Sequence, residues 1–118
     1  RYNSGTVLSG VSAGAICWFE QGITDSWASN LNTLDCLGFL KGMGCPHYQE
    51  EQDRRPDLHK MLKMGRALSG YAIDGGAAGH FIDGKLHKAI QFYPKSHIYK
   101  VSENNGKVKE SRIKVQKL

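Results

Sequence analysis

The chain has 118 residues and a mass of 13.1 kDa, and 40% of its residues are hydrophobic, which suits one folded domain and excludes a disordered chain. No stretch approaches about 18 consecutive apolar residues, so the sequence predicts no membrane-spanning helix. The net charge of +5 comes from residues 51–118, with 14 basic and seven acidic residues against two and four in residues 1–50. Because these basic residues alternate with apolar ones, we interpret them as the wet face of strands and predict no nucleic-acid partner.

Three cysteines, Cys17, Cys36 and Cys45, are an odd number without CxxC spacing. A disulfide framework or a structural zinc site would need paired cysteines. We therefore expect reduced thiols in the core or near the site of a cytoplasmic protein.

The elements of the first half are predicted from short apolar runs and glycines. In chain order they are a β-leaning run at Thr6–Leu8, a helix over Ala13–Gln21 ended by Gly22, an irregular stretch over 23–34, a buried strand or turn over Cys36–Leu40, and a shaped loop over Gly42–Tyr48.

The second half begins with a helix and continues with strands. The helix is predicted from Pro56, with apolar residues repeating at helical spacing until Gly70 closes it and His59 on its wet side. Strands are predicted at Tyr71–Ile73, Ala77–Ile82, Leu86–Phe92, His97–Val101 and Val108–Val115, with turns at Gly75-Gly76, Asp83-Gly84 and Asn105-Gly106. The pattern predicts an α/β front and antiparallel hairpins at the back.

Gly10-Val11-Ser12-Ala13-Gly14 has the GxSxG pattern of a nucleophile elbow. Flanking glycines allow the sharp turn between strand and helix that exposes a serine hydroxyl. The amide groups at the start of the helix then face the developing oxyanion. This context favours Ser12 as a nucleophile, with the Ala13 amide as one oxyanion donor.

A serine nucleophile needs a base and an acid that orients the base. Among five histidines, His47 is the preferred base because it lies in the glycine- and proline-shaped loop. Glu20, Asp25 and Asp35 lie between Ser12 and His47. We favour Asp25 as the acid because it follows the predicted helix and is free to fold back toward the serine.

The motifs around these residues resemble the peptidase E family of serine peptidases, which includes α-aspartyl dipeptidases and, more distantly, cyanophycinases. The resemblance rests on Gly10–Phe19, Thr24-Asp25-Ser26, Cys36–Gly42 and Cys45-Pro46-His47-Tyr48, and extends more loosely to Tyr71–Ala78. It implies that Ser12, His47 and Asp25 form the catalytic triad. Where relatives tend to have two acidic residues before Gly-Ala-Ala, this chain has Asp74-Gly75.

The resemblance also implies a fold and a substrate class. The fold would be the C-terminal half of a doubly wound, mainly parallel sheet of the class I glutamine amidotransferase type, because family members are about twice this length. Residues 1–118 would then be a single unit that forms the C-terminal portion of a larger α/β hydrolytic domain. An upstream segment or a second chain would complete this domain, and a homo-oligomer is a further option. The substrate would be a small peptide, including one with an N-terminal aspartyl residue, or a related amide.

Arg54 and Arg55, shortly after His47, are the candidates for binding a substrate carboxylate. The alternative interpretation is that they are solvent-exposed residues of a loop and a helix start. Neither a metal nor an organic cofactor is implied. The alternative hypothesis is a catalytically inactive remnant that serves as a binding or assembly domain.

Overall fold

The computed structural model describes residues 7–11, 13–24, 32–49 and 54–117. Within these ranges the chain forms two helices and nine strands. They are α1 (Ala13–Ile16), β1 (Phe19–Thr24), β2 (Asn32–Asp35), β3 (Leu40–Cys45), α2 (Arg54–Lys63), β4 (Gly70–Ile73), β5 (Ala77–Ile82), β6 (Lys85–Gln91), β7 (Ile98–Asn104), β8 (Lys107–Arg112) and β9 (Val115–Lys117).

The larger sheet has six strands in the order β2-β1-β3-β4-β7-β8. Its centre is parallel, since β1 pairs with β3 and β3 with β4 in the same direction. The antiparallel strands β2 on one side and β7 and β8 on the other complete the sheet. This mixed sheet agrees with the predicted α/β class.

A second sheet has three strands in the order β5-β6-β9. Asp83 and Gly84, which connect β5 to β6, both have positive φ, at 52° and 79°. Asn105 and Gly106, which connect β7 to β8, repeat this pattern at 54° and 80°. Two successive positive φ angles are typical of the two-residue turns that match the twist of antiparallel strands, and both turns lie where the sequence predicts them.

The hydrophobic core lies between α2 and the larger sheet. Leu58, Met61 and Leu62 of α2 are buried and share one cluster with Met43 and Ala72 of the sheet. The helix is shorter than predicted because Gly65 adopts φ 72°. The amides of Gly65 and Arg66 bond back to the carbonyls of Leu62 and Met61, which is the Schellman pattern that ends a helix.

The predicted helix over Ala13–Gln21 is wrong beyond Ile16, because Phe19–Thr24 forms β1. This segment is paired on both sides, by β2 and β3, and it buries Phe19 and Ile23. Sheet pairing and burial therefore override the local helical pattern, as tertiary context does for marginal segments.

Four further predictions for the first half need correction. Residues 23–24 and 32–34, predicted as irregular, lie in β1 and β2, and residues 42–45, predicted as loop, lie in β3. Residues 36–39 form no strand, and Leu37 and Phe39 are exposed rather than buried. Residues 7–10 carry neither helix nor strand. No helix in the described ranges is long and apolar enough to cross a membrane.

Candidate active site

The turn before α1 brings two glycine backbones into contact. The Gly14 amide donates to the Val11 carbonyl over 2.9 Å. A Cβ atom at Gly10 would fall 2.0 Å from the Gly14 carbonyl oxygen, whereas one at Gly14 would meet nothing within 4 Å. The first glycine of the GxSxG motif is therefore required by packing. Ser12 itself lies outside the described residues.

Helix α1 begins at Ala13 and has only four residues. It packs against β1 and β3, and the buried side chain of Ile16 lies against Gly22 of β1. Because a single turn aligns few peptide dipoles, the expected helix-dipole contribution at Ser12 is smaller than for the predicted nine-residue helix.

The parallel strands β1, β3 and β4 end at one edge of the larger sheet. The register pairs Gly22 with Gly44 and Cys45 with Ala72. His47 follows β3 at this edge and Asp74 follows β4. The carboxyl edge of parallel strands is where α/β proteins place their ligands. Asp25 is the next residue in sequence after β1 but lies outside the described residues.

The two other candidate acids are far from this edge. Glu20 is on β1 and not on a helix, and its Oε1 accepts the Gly42 amide over 2.8 Å. Asp35 on β2 pairs with Gln21, which lies opposite Met43. At about 3.3 Å per strand residue, both lie roughly 7 Å or more before the level of Cys45, the last residue of β3.

His47 is half-buried and has φ 53°, a left-handed conformation that few residues with a side chain adopt. Of the other histidines, His80 and His87 form an exposed ring pair on β5 and β6. His97 lies beside Asp74 at the same edge as His47, with its amide donating to Asp74 Oδ2 and its ring against Tyr99. The prediction that His59 lies on the solvent-facing side of the helix is wrong. Its Nε2 lies 3.0 Å from the Tyr48 hydroxyl.

A cluster of polar and aromatic side chains, which the sequence did not predict, is built around Tyr48, the residue after His47. We call it the Tyr48 cluster, and it consists of Tyr48, Arg55, His59, Tyr99 and Glu110. The Tyr48 hydroxyl donates to Glu110, and Glu110 Oε1 lies 3.1 Å from His59 Nε2 and 3.2 Å from Arg55 Nε. The Arg55 guanidinium lies over the Tyr48 and Tyr99 rings, 4.9 and 5.3 Å from their centroids.

The cluster shifts the ionisation of its members. Burial, and then the hydrogen bond to Glu110, raise the pKa of Tyr48 far above its usual value. Burial by itself would raise the pKa of Glu110, but the hydrogen bonds from Tyr48 and His59 and the Arg55 charge hold it below its usual value. The cluster therefore contains a carboxylate, a guanidinium and neutral tyrosines near neutral pH.

The two arginines predicted to bind substrate differ in exposure. Arg54 begins α2, is only 4% exposed and lies against Cys45. The Arg55 side chain is 41% exposed and pairs with Glu110. Both therefore make internal contacts, and neither is a simply solvated helix start.

The three thiols are free, and Cys45 is buried. Burial raises the pKa of Cys45 to about 12, so its thiol is protonated at neutral pH and is a poor nucleophile. Within the described part of the chain, no group of three or more His, Cys, Asp or Glu residues could hold a metal ion.

Comparison with known proteins gives the class of the chain. Residues 1–89 match the model of peptidase family S51. The chain belongs to this family, the peptidase E family that its motifs resemble.

The chain is also similar to a particular bacterial protein, the uncharacterized peptidase YgaJ of Bacillus subtilis (strain 168). The two are 44% identical over 117 residues, which is 99% of this chain and 50% of the relative. The chain thus spans half the length of the curated relative that it matches.

Proposed function

We propose that the chain carries the catalytic centre of a serine-type peptidase that hydrolyses a peptide or related amide through Ser12, His47 and Asp25. The observation that carries the proposal is the common carboxyl edge of β1 and β3, at which His47 follows β3. Asp25 is the first residue after β1, whereas Glu20 and Asp35 lie at strand levels before the end of β3. Of the three candidate acids, Asp25 is therefore favoured.

In the proposed mechanism, the Ser12 hydroxyl attacks the scissile carbonyl carbon and His47 accepts its proton. His47 then returns the proton to the leaving amine, and water hydrolyses the acyl-enzyme in the same way. Asp25 orients the imidazole and stabilises its charged form. The contact between Gly10 and Gly14 supports a tight turn at Ser12, and the Ala13 amide is the proposed donor to the oxyanion.

The substrate class rests on the family and on the two arginines. A dipeptide with an N-terminal aspartyl residue would present a carboxylate, which a guanidinium binds well. Arg55 is the better candidate, since its side chain is 41% exposed while Arg54 is only 4% exposed. Substrate binding by Arg55 would compete with its ion pair to Glu110.

The architecture of the whole enzyme belongs to the same proposal. The relative is about twice as long as this chain, and the parallel strands β1, β3 and β4 are compatible with one half of a doubly wound sheet. We propose that residues 1–118 form part of a larger α/β hydrolytic domain. A further segment or chain would then supply the second oxyanion donor.

The proposed triad is tested by comparing Asp25→Asn with Asp35→Asn in the protein as its gene encodes it. Asp25→Asn should lower kcat by several orders of magnitude while leaving the thermal midpoint of unfolding unchanged, because the imidazole loses its orientation. Asp35→Asn should retain activity, since Asp35 is exposed on β2. An active Asp25→Asn variant would refute the choice of acid.

A further inference from the structure

The two residues after His47 are both anchored to the sheet. The Tyr48 amide donates to the Ile73 carbonyl over 3.2 Å, and its fully buried ring extends to Glu110 and His59. Gln49 Nε2 donates to Asp74 Oδ2 over 2.7 Å and also to the Tyr99 hydroxyl. The chain leaving His47 is therefore fixed by β4, β7, β8 and α2 together.

Asp74 is the least expected of these anchors, because a carboxyl group that is only 3% exposed is costly to bury. Its Oδ2 accepts the His97 amide over 2.9 Å in addition to the Gln49 amide. Its Oδ1 is buried and has no hydrogen-bond partner in the described part of the chain. A hydrophobic residue would avoid this cost, so the carboxyl group needs an explanation beyond packing.

The backbone of His47 supplies that explanation. A left-handed φ of 53° at a residue with a side chain is strained and persists only where surrounding contacts fix it. Such strained residues concentrate at functional sites. Gln49, two residues after His47, is tied by its side chain to Asp74, which follows the neighbouring parallel strand β4.

We infer that Gln49 and Asp74 are positioning residues, which hold the loop so that the His47 imidazole keeps the orientation required for proton transfer. The inference rests on the proposed role of His47 as the base. Asp74 acts through Gln49 in this account and contacts neither substrate nor reacting atoms. Its carboxylate accepts the Gln49 amide, which fixes the loop and therefore the imidazole.

Nuclear magnetic resonance of isotope-labelled histidine tests this inference without requiring activity. Gln49→Leu should change the His47 ring nitrogen shifts and broaden the His47 signals, because the ring samples more than one orientation. Gln21→Leu is the control, since the Gln21 side chain also forms a hydrogen bond, accepting from the Leu68 amide over 2.8 Å, but lies on β1 away from His47. Unchanged His47 signals in Gln49→Leu would overturn the inference.

A second variant keeps the test decisive if Gln49→Leu does not fold. Asp74→Asn can still accept the Gln49 amide, so it should change the His47 signals less than Asp74→Ala. A change in Asp74→Asn that equals or exceeds the change in Asp74→Ala would overturn the route through Gln49.

Activity measurements separate this inference from the proposed function. If both hold, Gln49→Leu should lower the rate of Ser12 labelling by a fluorophosphonate about 10²-fold, as expected for a misplaced catalytic group. The KM for a peptide substrate should change little. A wild-type protein that is not labelled at Ser12 would refute the proposed function, while the His47 signals would still decide the positioning role.

Discussion

Glu110 shows how a single residue couples the site to folding. Hydrogen bonds and the Arg55 charge keep its pKa in the folded protein below the ordinary value of 4.5. A carboxyl group with a lowered folded pKa stabilises the fold above its unfolded pKa, and this contribution is lost as pH falls through the folded pKa. We therefore expect Glu110→Gln to flatten the fall in the free energy of unfolding below about pH 4.5.

Chemical denaturation at a series of pH values measures this effect. The wild-type curve should exceed that of Glu110→Gln at neutral pH and approach it in acid. Parallel curves for the two proteins from pH 7 down to acid would contradict the assigned role of Glu110.

At the residue scale, the local sequence indicates His47 as the candidate base but does not predict which side chains surround it. His47 stands out because Gly44 and Pro46 shape the chain around it. Tyr48 and Glu110 are 62 residues apart, and their contact depends on the pairing of β7 with β8 and the packing of α2. For the role of Asp74, the local signal is an acidic residue directly after the predicted strand Tyr71–Ile73.

At the scale of elements, the turn before α1 places the tightest steric requirement on a single residue, Gly10. Gly10→Ala should disrupt this turn, because the new Cβ would fall 2.0 Å from the Gly14 carbonyl oxygen. Overpacking of this kind typically costs about 1–3 kcal/mol. Gly14→Ala is the control, since its Cβ would meet nothing within 4 Å and alanine favours a helix.

Thermal unfolding and Ser12 labelling of the two variants test the geometry of the turn. Gly10→Ala should lower the midpoint of unfolding or the labelling rate, and Gly14→Ala should match the wild type in stability. Equal behaviour of the two variants would show that the backbone contact is not required.

Elements with strong local signals are the ones that the sequence predicts. The turns at Asp83-Gly84 and Asn105-Gly106 need positive φ at both positions, which those residue types supply at low cost. The segment Phe19–Thr24 lacks such a signal, and its strand depends on neighbours contributed by residues 32–35 and 40–45. The prediction of a helix extending to Gln21 failed for that reason.

At the scale of the whole molecule, the described part of the chain exposes several large apolar side chains. Large exposed residues near α1 and β2 include Val11, Leu34, Leu37 and Phe39. Such surface tends to associate. We expect residues 1–118, prepared alone, to self-associate. We also expect them to lack peptidase activity, because the second oxyanion donor is proposed to come from a further segment or chain, and such a donor typically contributes ~10²–10³ in turnover.

Light scattering during size-exclusion chromatography, with an assay on aspartyl dipeptides, tests this expectation. Oligomers without activity agree with it. A monodisperse monomer of residues 1–118 that hydrolyses these dipeptides at ordinary enzyme rates would contradict it.

The central claim is that Ser12 is the nucleophile and His47 its base, and covalent labelling tests it most directly. The protein as its gene encodes it is treated with a fluorophosphonate, digested, and mapped by mass spectrometry. We predict one labelled residue, Ser12, with labelling lost in Ser12→Ala and slowed by several orders of magnitude in His47→Ala. Labelling at another residue, or an unchanged rate in His47→Ala, would contradict the account.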